Sequence, residues 1–499
     1  MALVWTRKQV HDLHIMWSIA RPARARRGAG SAALFARVAS AVADDIRRGA
    51  LRAGDRLPST RALATRFDVN RNTIVAAYDE LVAQGWVVAR GPRGTFVADE
   101  MPERPVRGSA APRGMPARAG FDAPALLEPR GLFAPAGARY QLSAGVPDTR
   151  LLPGAVLARA YRRALASRAG RAGLDYAGAG GTPRLREAIA TMLRTTRGIP
   201  ATASNILITR GSQMALDLIA RWLARPGVPI AIEELGYAPA WRAFEHAGAR
   251  LVPVPLDAQG LVVDALPRAA PRCVYVTPHH QYPTTVLMSP ARRLALLARA
   301  RTDRFAILED DYDHEFHFDG RPVAPLAAAD PHGNVLYVGT LSKILAPGLR
   351  LGYLAAPERV VEALARARQS VDRQGDQVLE HAVAELFEDG ELARHTRKMR
   401  RSYEARRDAL IHALRRELGS AVSFDVPAGG ITLWLRVADG IDLQAWRTRA
   451  LAHGVAFTTA RELAFDGRAR PYFRVGYARY DEAELVDAVR RLRRALVAR

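Results

Sequence analysis

From about residue 139 onward the chain alternates short apolar runs with longer amphipathic ones, and this alternation narrows the possible folds more than any other feature. The runs NILIT, VPIAIE, RLVPVPL, CVYVTP, RFAILED, NVLYVGT and LGYLAA read as strands, and stretches such as SQMALDLIARWLA and SPARRLALLARARTD as helices between them. Repeated strand and helix of this kind predict an α/β fold, a mostly parallel sheet covered by helices on both faces. From about residue 355 the pattern turns to long helices, then to the strands ITLWLRV and YFRVGYA and a last helix, which reads as a smaller C-terminal α/β subdomain. The block 139–499 contains no internal repeat. In such folds ligands collect outside the carboxyl ends of strands, so the residues after each apolar run are the ones to inspect.

Residues 31–98 follow another rule. Ser31 can cap a helix in which Leu34, Val38, Val42 and Ile46 recur every four residues, with Gly49 at its end. Ser59 caps a second helix with Leu63 and Phe67 inward, and Asn70 a third, Arg71 to Gln84, whose inner face is Ile74, Tyr78, Leu81 and Val82. Two short strands around a Pro-Arg-Gly turn follow in WVVARGPRGTFVAD. Three helices and a hairpin make a winged helix-turn-helix, which presents the N-terminal turn of its third helix to the major groove of double-stranded DNA. Arg71, Asn72 and Thr73 occupy that turn, and arginine and asparagine can make paired contacts to guanine and adenine edges. Arg61 on the second helix and Arg90 and Arg93 on the wing suit phosphates.

A length of 499 residues exceeds one ordinary core and agrees with this division. Residues 99–138, dense in Pro, Gly, Ala and Arg, read as a linker. Residues 1–30 read either as a basic disordered arm or as a start placed too early, with Met16 nearer the true one; their charge follows the apolar patch, the wrong order for a secretion signal. No apolar run reaches the roughly 18 residues of a membrane span. Cys273 alone permits no intramolecular disulfide, which fits a reducing cytoplasm, and within CVYV it reads as a buried inert thiol. The net charge of +23 is compatible with a polyanionic partner without identifying one.

The chemistry sits at four strand ends. ITRGSQMALD places Gly211, Ser212 and Gln213 at a helix N-terminus, where free amides and the helix dipole favour a phosphate. IEELGYAPAW puts Tyr237 on a loop, and AILEDDYDHEF puts Asp310 and Tyr312 two apart. VGTLSKILAPGLRLGY supplies Thr340, Ser342, Lys343 and Arg350. A chain that writes its positive charge almost wholly as arginine keeps a lysine here, and only lysine can lose its proton and form a Schiff base with an aldehyde. If the aldehyde is pyridoxal 5'-phosphate (PLP), every part has a task. Asp310 would keep the pyridine nitrogen protonated, Tyr312 would bond the ring hydroxyl, and Tyr237 would stack on the ring. Gly211, Ser212, Gln213, Thr340, Ser342 and Arg350 would hold the phosphate. His279 and His280 follow a strand and border this pocket, either as hydrogen-bonded loop residues or as a catalytic base, and GAGGTPRLR is a tight turn before a helix rather than a nucleotide loop. EDDYDHEFHF is rich in potential metal ligands, but they alternate across both faces without a ligand spacing, so no metal is expected. Trp222, Trp241 and Trp434 read as core.

These motifs carry a family resemblance. LPSTRALATRFDVNRNTIVAAYDELVAQGWV and GPRGTFV resemble GntR-class winged helices, and residues 139–499 resemble fold-type I aminotransferases. Joined in this order, with EDDYDHEF and VGTLSKILAPGLRLGYLAAP, they resemble the MocR subfamily of bacterial transcriptional regulators. The resemblance implies a homodimer with PLP near the subunit boundary. In it Tyr176 would reach the neighbouring subunit's phosphate, and Arg474, in YFRVGYA, would bind an effector carboxylate. Relatives often carry glycine where HHQYPTTVLM has Thr285, which implies added bulk near the ring, and Pro239 replaces the extra arginine of GABA-responding relatives. The expected function is a cytoplasmic DNA-binding regulator that senses PLP, or an amine or amino-acid effector, through a Schiff base at Lys343. The alternative is a working aminotransferase with an accessory DNA-binding domain.

Overall fold

The computed structural model describes residues 31–100, 120–122, 137–143, 145–320 and 323–497, so the readings made for 1–30 and for most of 99–138 lie outside the described residues. Two compact units divide between Leu126 and Leu127.

In the first unit the helix Ser31–Arg47 buries Val38, Val42 and Ile46. The Ser59 hydroxyl accepts from the Ala62 amide at 3.2 Å and starts Thr60–Phe67, and the Asn70 side-chain carbonyl accepts from the Asn72 amide at 2.8 Å and starts Arg71–Ala83. Each cap satisfies an amide that the first helical turn cannot. Strands Val87–Ala89 and Thr95–Val97 pair antiparallel, joined by one 3-10 turn, Gly91–Arg93. The third helix departs from expectation at two places: Thr73 is buried at 8% exposure, and Val82 is 42% exposed. Both lie about a quarter turn from the centre of the stripe formed by Ile74, Ala77, Tyr78 and Leu81, on opposite edges. Periodicity locates the centre of a buried face, and packing decides which edge is covered.

In the second unit a seven-stranded sheet runs in the spatial order Ile206–Thr209, Gly352–Ala355, Val335–Thr340, Ala306–Asp311, Cys273–Val276, Pro229–Glu233, Arg250–Val254. All pairings are parallel except the two made by Gly352–Ala355. Apart from the partly exposed edge strand Arg250–Val254, its apolar strands are buried on both faces under helices such as Ser212–Leu223 and Pro290–Asp303, as parallel sheets require. A second, antiparallel sheet joins Val422–Ser423, Thr432–Val437, Tyr472–Gly476 and Thr458–Thr459. Its core takes Tyr140 and Leu142 from the start of the unit and takes nothing from the helices Glu358–Arg368 and Gln377–Glu388, which pack with the large sheet. Besides Tyr140 and Leu142 it takes Phe316 and Phe318 from the segment after Ala306–Asp311, and it is otherwise built from Met399 onward, within and after the helix Glu391–Leu418.

Cys273 is fully buried and its thiol is pushed up to about 12 by burial, which makes it inert. Of the tryptophans read as core, Trp241 is 2% exposed, whereas Trp222 is 37% exposed near the end of its helix. Trp434 is half-buried and stacks on Tyr472 at 5.6 Å, because it lies on the outer side of its strand.

Candidate functional site

Parallel register brings the strand ends together. Asp310 lies opposite Val338 near the end of Ala306–Asp311, and Thr340 closes the neighbouring strand opposite Gly352, which in turn faces Thr209. The turn after Thr340 carries Ser342 and Lys343. A cavity of about 320 Å³ opens there, lined by Lys343, Asp310, Tyr312, Tyr237, Arg350 and Arg474 among others. Lys343 Nζ donates to the Gly145 carbonyl at 2.6 Å, and burial, helped by the Arg474 charge, pulls its pKa down to about 8.

Asp310 is 5% exposed; its Oδ2 accepts from the Tyr275 hydroxyl at 2.9 Å, and its Oδ1 has no partner. Burial pushes its pKa up to about 7. A buried carboxylate oxygen without a partner is costly, and a protonated ring nitrogen would supply the missing donor. The residues therefore fit a pyridine-based cofactor on an observation independent of motif. The segment behind Asp310 is held rigidly. Asp311 Oδ2 accepts from Tyr337 at 2.7 Å and meets His314 Nδ1 at 2.9 Å, while the buried Arg197 bonds Tyr337, Tyr353 and Glu315.

At the other end of the cavity Gly211, at φ 75°, precedes the helix Ser212–Leu223, whose first turn presents its amides. A Cβ on Gly352 would come within 2.6–2.8 Å of the Gly211 and Ser212 backbone, so only glycine lets the last strand approach this turn. Thr340 accepts from the Ser342 amide at 3.1 Å, and Arg350 donates to the Arg210 carbonyl at 3.0 Å with its guanidinium against Gly211. The Ser342 amide and the Thr340 hydroxyl are thus engaged within the loop, the latter with the Leu351 carbonyl at 3.4 Å, so the helix-turn amides and the Arg350 guanidinium are the donors that suit an anion here. Gln213 reaches the cavity, but its side-chain amide donates to Pro239 at 3.1 Å, which leaves its backbone amide for the anion.

Arg474 is 2% exposed and has no carboxylate partner among the described residues; its guanidinium stacks over Tyr282 at 4.2 Å, and Tyr282 meets Tyr237 edge-on at 5.6 Å. Tyr312 donates to the His280 carbonyl at 3.0 Å, so it can meet a ring hydroxyl only as acceptor unless that bond opens. Tyr176 is 76% exposed, outside this cavity, with Arg373 over its ring at 4.2 Å. Tyr275, Tyr282 and Gly145 are absent from the sequence reading. Tyr282 was legible as the aromatic of HHQYPTT, whereas Tyr275 within CVYV and Gly145 gave no signal beyond strand and turn. Thr285 does not line the cavity and stands at φ 64°. A glycine there serves the backbone, and the expected bulk beside the ring is not found.

In the winged unit Arg61, Arg71, Asn72 and Arg93 are exposed, and Arg61 and Arg71 border one shallow depression. Thr73 is turned inward and is withdrawn from the DNA-facing set. Arg90 pairs with Asp99 at 3.1 Å and lies over Phe96 at 5.2 Å, both near the surface.

Comparison with known proteins agrees with both units. The profile of "Aminotransferase class I and II" matches residues 140–492, and that of "Bacterial regulatory proteins, gntR family" matches residues 34–97. The probable rhizopine catabolism regulatory protein MocR of Rhizobium meliloti is 32% identical over 456 residues, 91% of this chain and 92% of its own. The transcriptional regulator TauR of Rhodobacter capsulatus is 33% identical, over 94% of this chain and 97% of its own. Among solved structures, the α-aminoadipate aminotransferase LysN of Thermus thermophilus, complexed with N-(5'-phosphopyridoxyl)-L-leucine, superposes with a TM-score of 0.67 at 31% identity, covering 72% of this chain and 92% of LysN.

Proposed function

The chain belongs to the MocR-type GntR transcriptional regulators, and on that premise we propose that its aminotransferase-like unit binds PLP at Lys343 and reports the cofactor, or an amine or amino acid that reacts with it, to operator DNA. The observation that carries this reading is the unpartnered Oδ1 of Asp310 in the cavity that also holds Lys343. When bound, the cofactor supplies an aldehyde carbon that amines attack and a ring that withdraws electrons. Lys343 would hold the aldehyde carbon, Asp310 would hold the ring-nitrogen proton, and Tyr237 would cover one ring face. The Gly211–Gln213 turn with Thr340, Ser342 and Arg350 would hold the phosphate. Arg474, buried and without an acidic partner among the described residues, would receive an effector carboxylate.

Arg474 stands on the smaller sheet, so an effector held at once beside Lys343 and by Arg474 would link strand ends of the large sheet to the small one. Such a link regulates only if the two states differ in affinity for DNA. The exposed Tyr176 is available to a second copy, and a homodimer is part of the reading. No described helix is long and apolar enough to cross a membrane. DNA as partner implies a cytoplasmic site of action. Arg474, with no carboxylate partner among the described residues, also favours a second reading, aminotransferase turnover, which a sustained rate of amino transfer to a keto acid would establish.

The chain has three lysines, Lys8, Lys343 and Lys398. Borohydride reduction of the protein with PLP, followed by peptide mapping, is expected to find the pyridoxyl label on Lys343 alone. Labelling confined to Lys8 or Lys398, or none, contradicts the reading.

A further inference from the structure

A second cluster of chemically competent side chains lies beside that cavity. His279 and His280 follow the strand Cys273–Val276, and His314 and His317 lie in the segment that continues Ala306–Asp311. All four are buried, none above 6% exposure. Ring centroids lie 4.5 Å apart for His279 and His280, 4.4 Å for His279 and His314, and 5.9 Å for His279 and His317. Buried imidazoles ordinarily find hydrogen-bond partners, yet among the described residues both ring nitrogens of His279 have none, and His317 has no more than a loose contact with the Asp319 backbone. His280 differs, because its Nδ1 lies 2.7 Å from Asp313 Oδ1, which orients the ring and leaves Nε2 free to ligate. One ligand nitrogen from each of His279, His280 and His317 lies within 4.8 Å of the other two.

We propose that His279, His280 and His317 bind one divalent transition-metal ion of the zinc class, with Asp313 orienting His280 from behind. Three imidazoles with an open fourth position are a set that Zn²⁺ accepts. At Zn–N distances of about 2.0–2.1 Å, tetrahedral ligand nitrogens stand roughly 3.4 Å apart, so the rings close by a little over ~1 Å on binding. His314 walls the site, its Nδ1 held by Asp311 at 2.9 Å. A side chain on Gly429 would meet His280 Nε2 at 2.7 Å, so the glycine keeps that nitrogen accessible.

The ion ties two layers together. His279 and His280 end a strand of the large sheet, while His317 bridges to Gly429 on the approach to the small sheet. The His280 carbonyl accepts from Tyr312, so the metal and cofactor sites share a wall. Read along the chain, EDDYDHEFHF lacks a ligand spacing; the cluster draws only His317 from it and takes its other ligands from a loop some 37 residues earlier.

The test is titration of the full-length chain, stripped with a chelator, with Zn²⁺ and separately with Co²⁺. The expected result is one ion per chain, tetrahedral ligand-field bands from Co²⁺, and binding weakened at least about tenfold in His279→Gln and in His317→Gln. The exposed His246→Gln and His332→Gln should bind like wild type. Should a cluster variant fail to fold, the wild-type stoichiometry and Co²⁺ spectrum still decide. Failure to bind either ion, or binding lost in the surface variants and kept in folded cluster variants, overturns the proposal.

Discussion

Tyr275 donates its hydroxyl to Oδ2 of Asp310 at 2.9 Å and leaves Oδ1 of the same carboxyl buried without a partner. Burial raises the folded-state pKa to about 7, against roughly 3.9 in an unfolded chain. Between those values the folded chain keeps a proton that the unfolded chain has released. Its contribution to stability is therefore lost as pH rises from about 4 to about 7. In the cofactor-free protein, Asp310→Asn removes this loss, so its melting temperature should gain on wild type across that window. A gap between the two that does not change with pH would count against the assignment.

Lys343 leads to a second pH dependence. Its pKa falls from 10.5 to about 8 through burial and the Arg474 charge, and only the neutral amine attacks an aldehyde. The rate of PLP uptake, followed by absorbance, should rise with pH through a midpoint near 8 and level off above it. Arg474→Met, which removes a neighbouring positive charge, should move that midpoint upward. A profile that still climbs near pH 10, as for an ordinary lysine, contradicts this.

Much of this was legible in the sequence. Seven apolar runs became the seven strands of the large sheet, because strands covered on both faces must be apolar, and the residues after the six parallel strands converge because those strands end on one side, where the antiparallel Gly352–Ala355 begins. What failed depended on edges and partners. Thr73 and Val82 sit on opposite margins of one helical stripe, which periodicity cannot rank. Tyr275 reads as one more apolar strand residue until the register sets it beside Asp310. The histidine cluster joins two segments that only the fold brings together.

Thr285 occupies the left-handed region at φ 64°, where a β-branched side chain is strained. Thr285→Gly should stabilise the protein by about 0.5–1 kcal/mol, the net of roughly 1–2 kcal/mol of relieved strain and the greater chain entropy of glycine. Since the side chain does not line the cavity, PLP affinity should stay unchanged. Denaturant titration checks the first outcome and absorbance titration the second.

The winged unit separates base reading from anchoring. Arg71→Ala should cost about 1–3 kcal/mol and relax preference at one base pair, while Arg93→Ala should weaken binding to all sequences and reduce the salt slope by about 1. The buried Thr73 predicts that Thr73→Ser leaves the sequence preference intact. Binding to an operator and to single-base variants at several salt concentrations distinguishes these effects.

Coupling of the cofactor pocket to DNA through Lys343 is tested most directly by affinity for DNA from the protein's own upstream region. Fluorescence anisotropy at fixed salt, with and without PLP, would compare wild type with Lys343→Ala. PLP is expected to shift wild-type affinity severalfold, and Lys343→Ala to bind DNA still but no longer respond. A wild-type affinity indifferent to PLP, or a response that survives Lys343→Ala, would contradict the coupling.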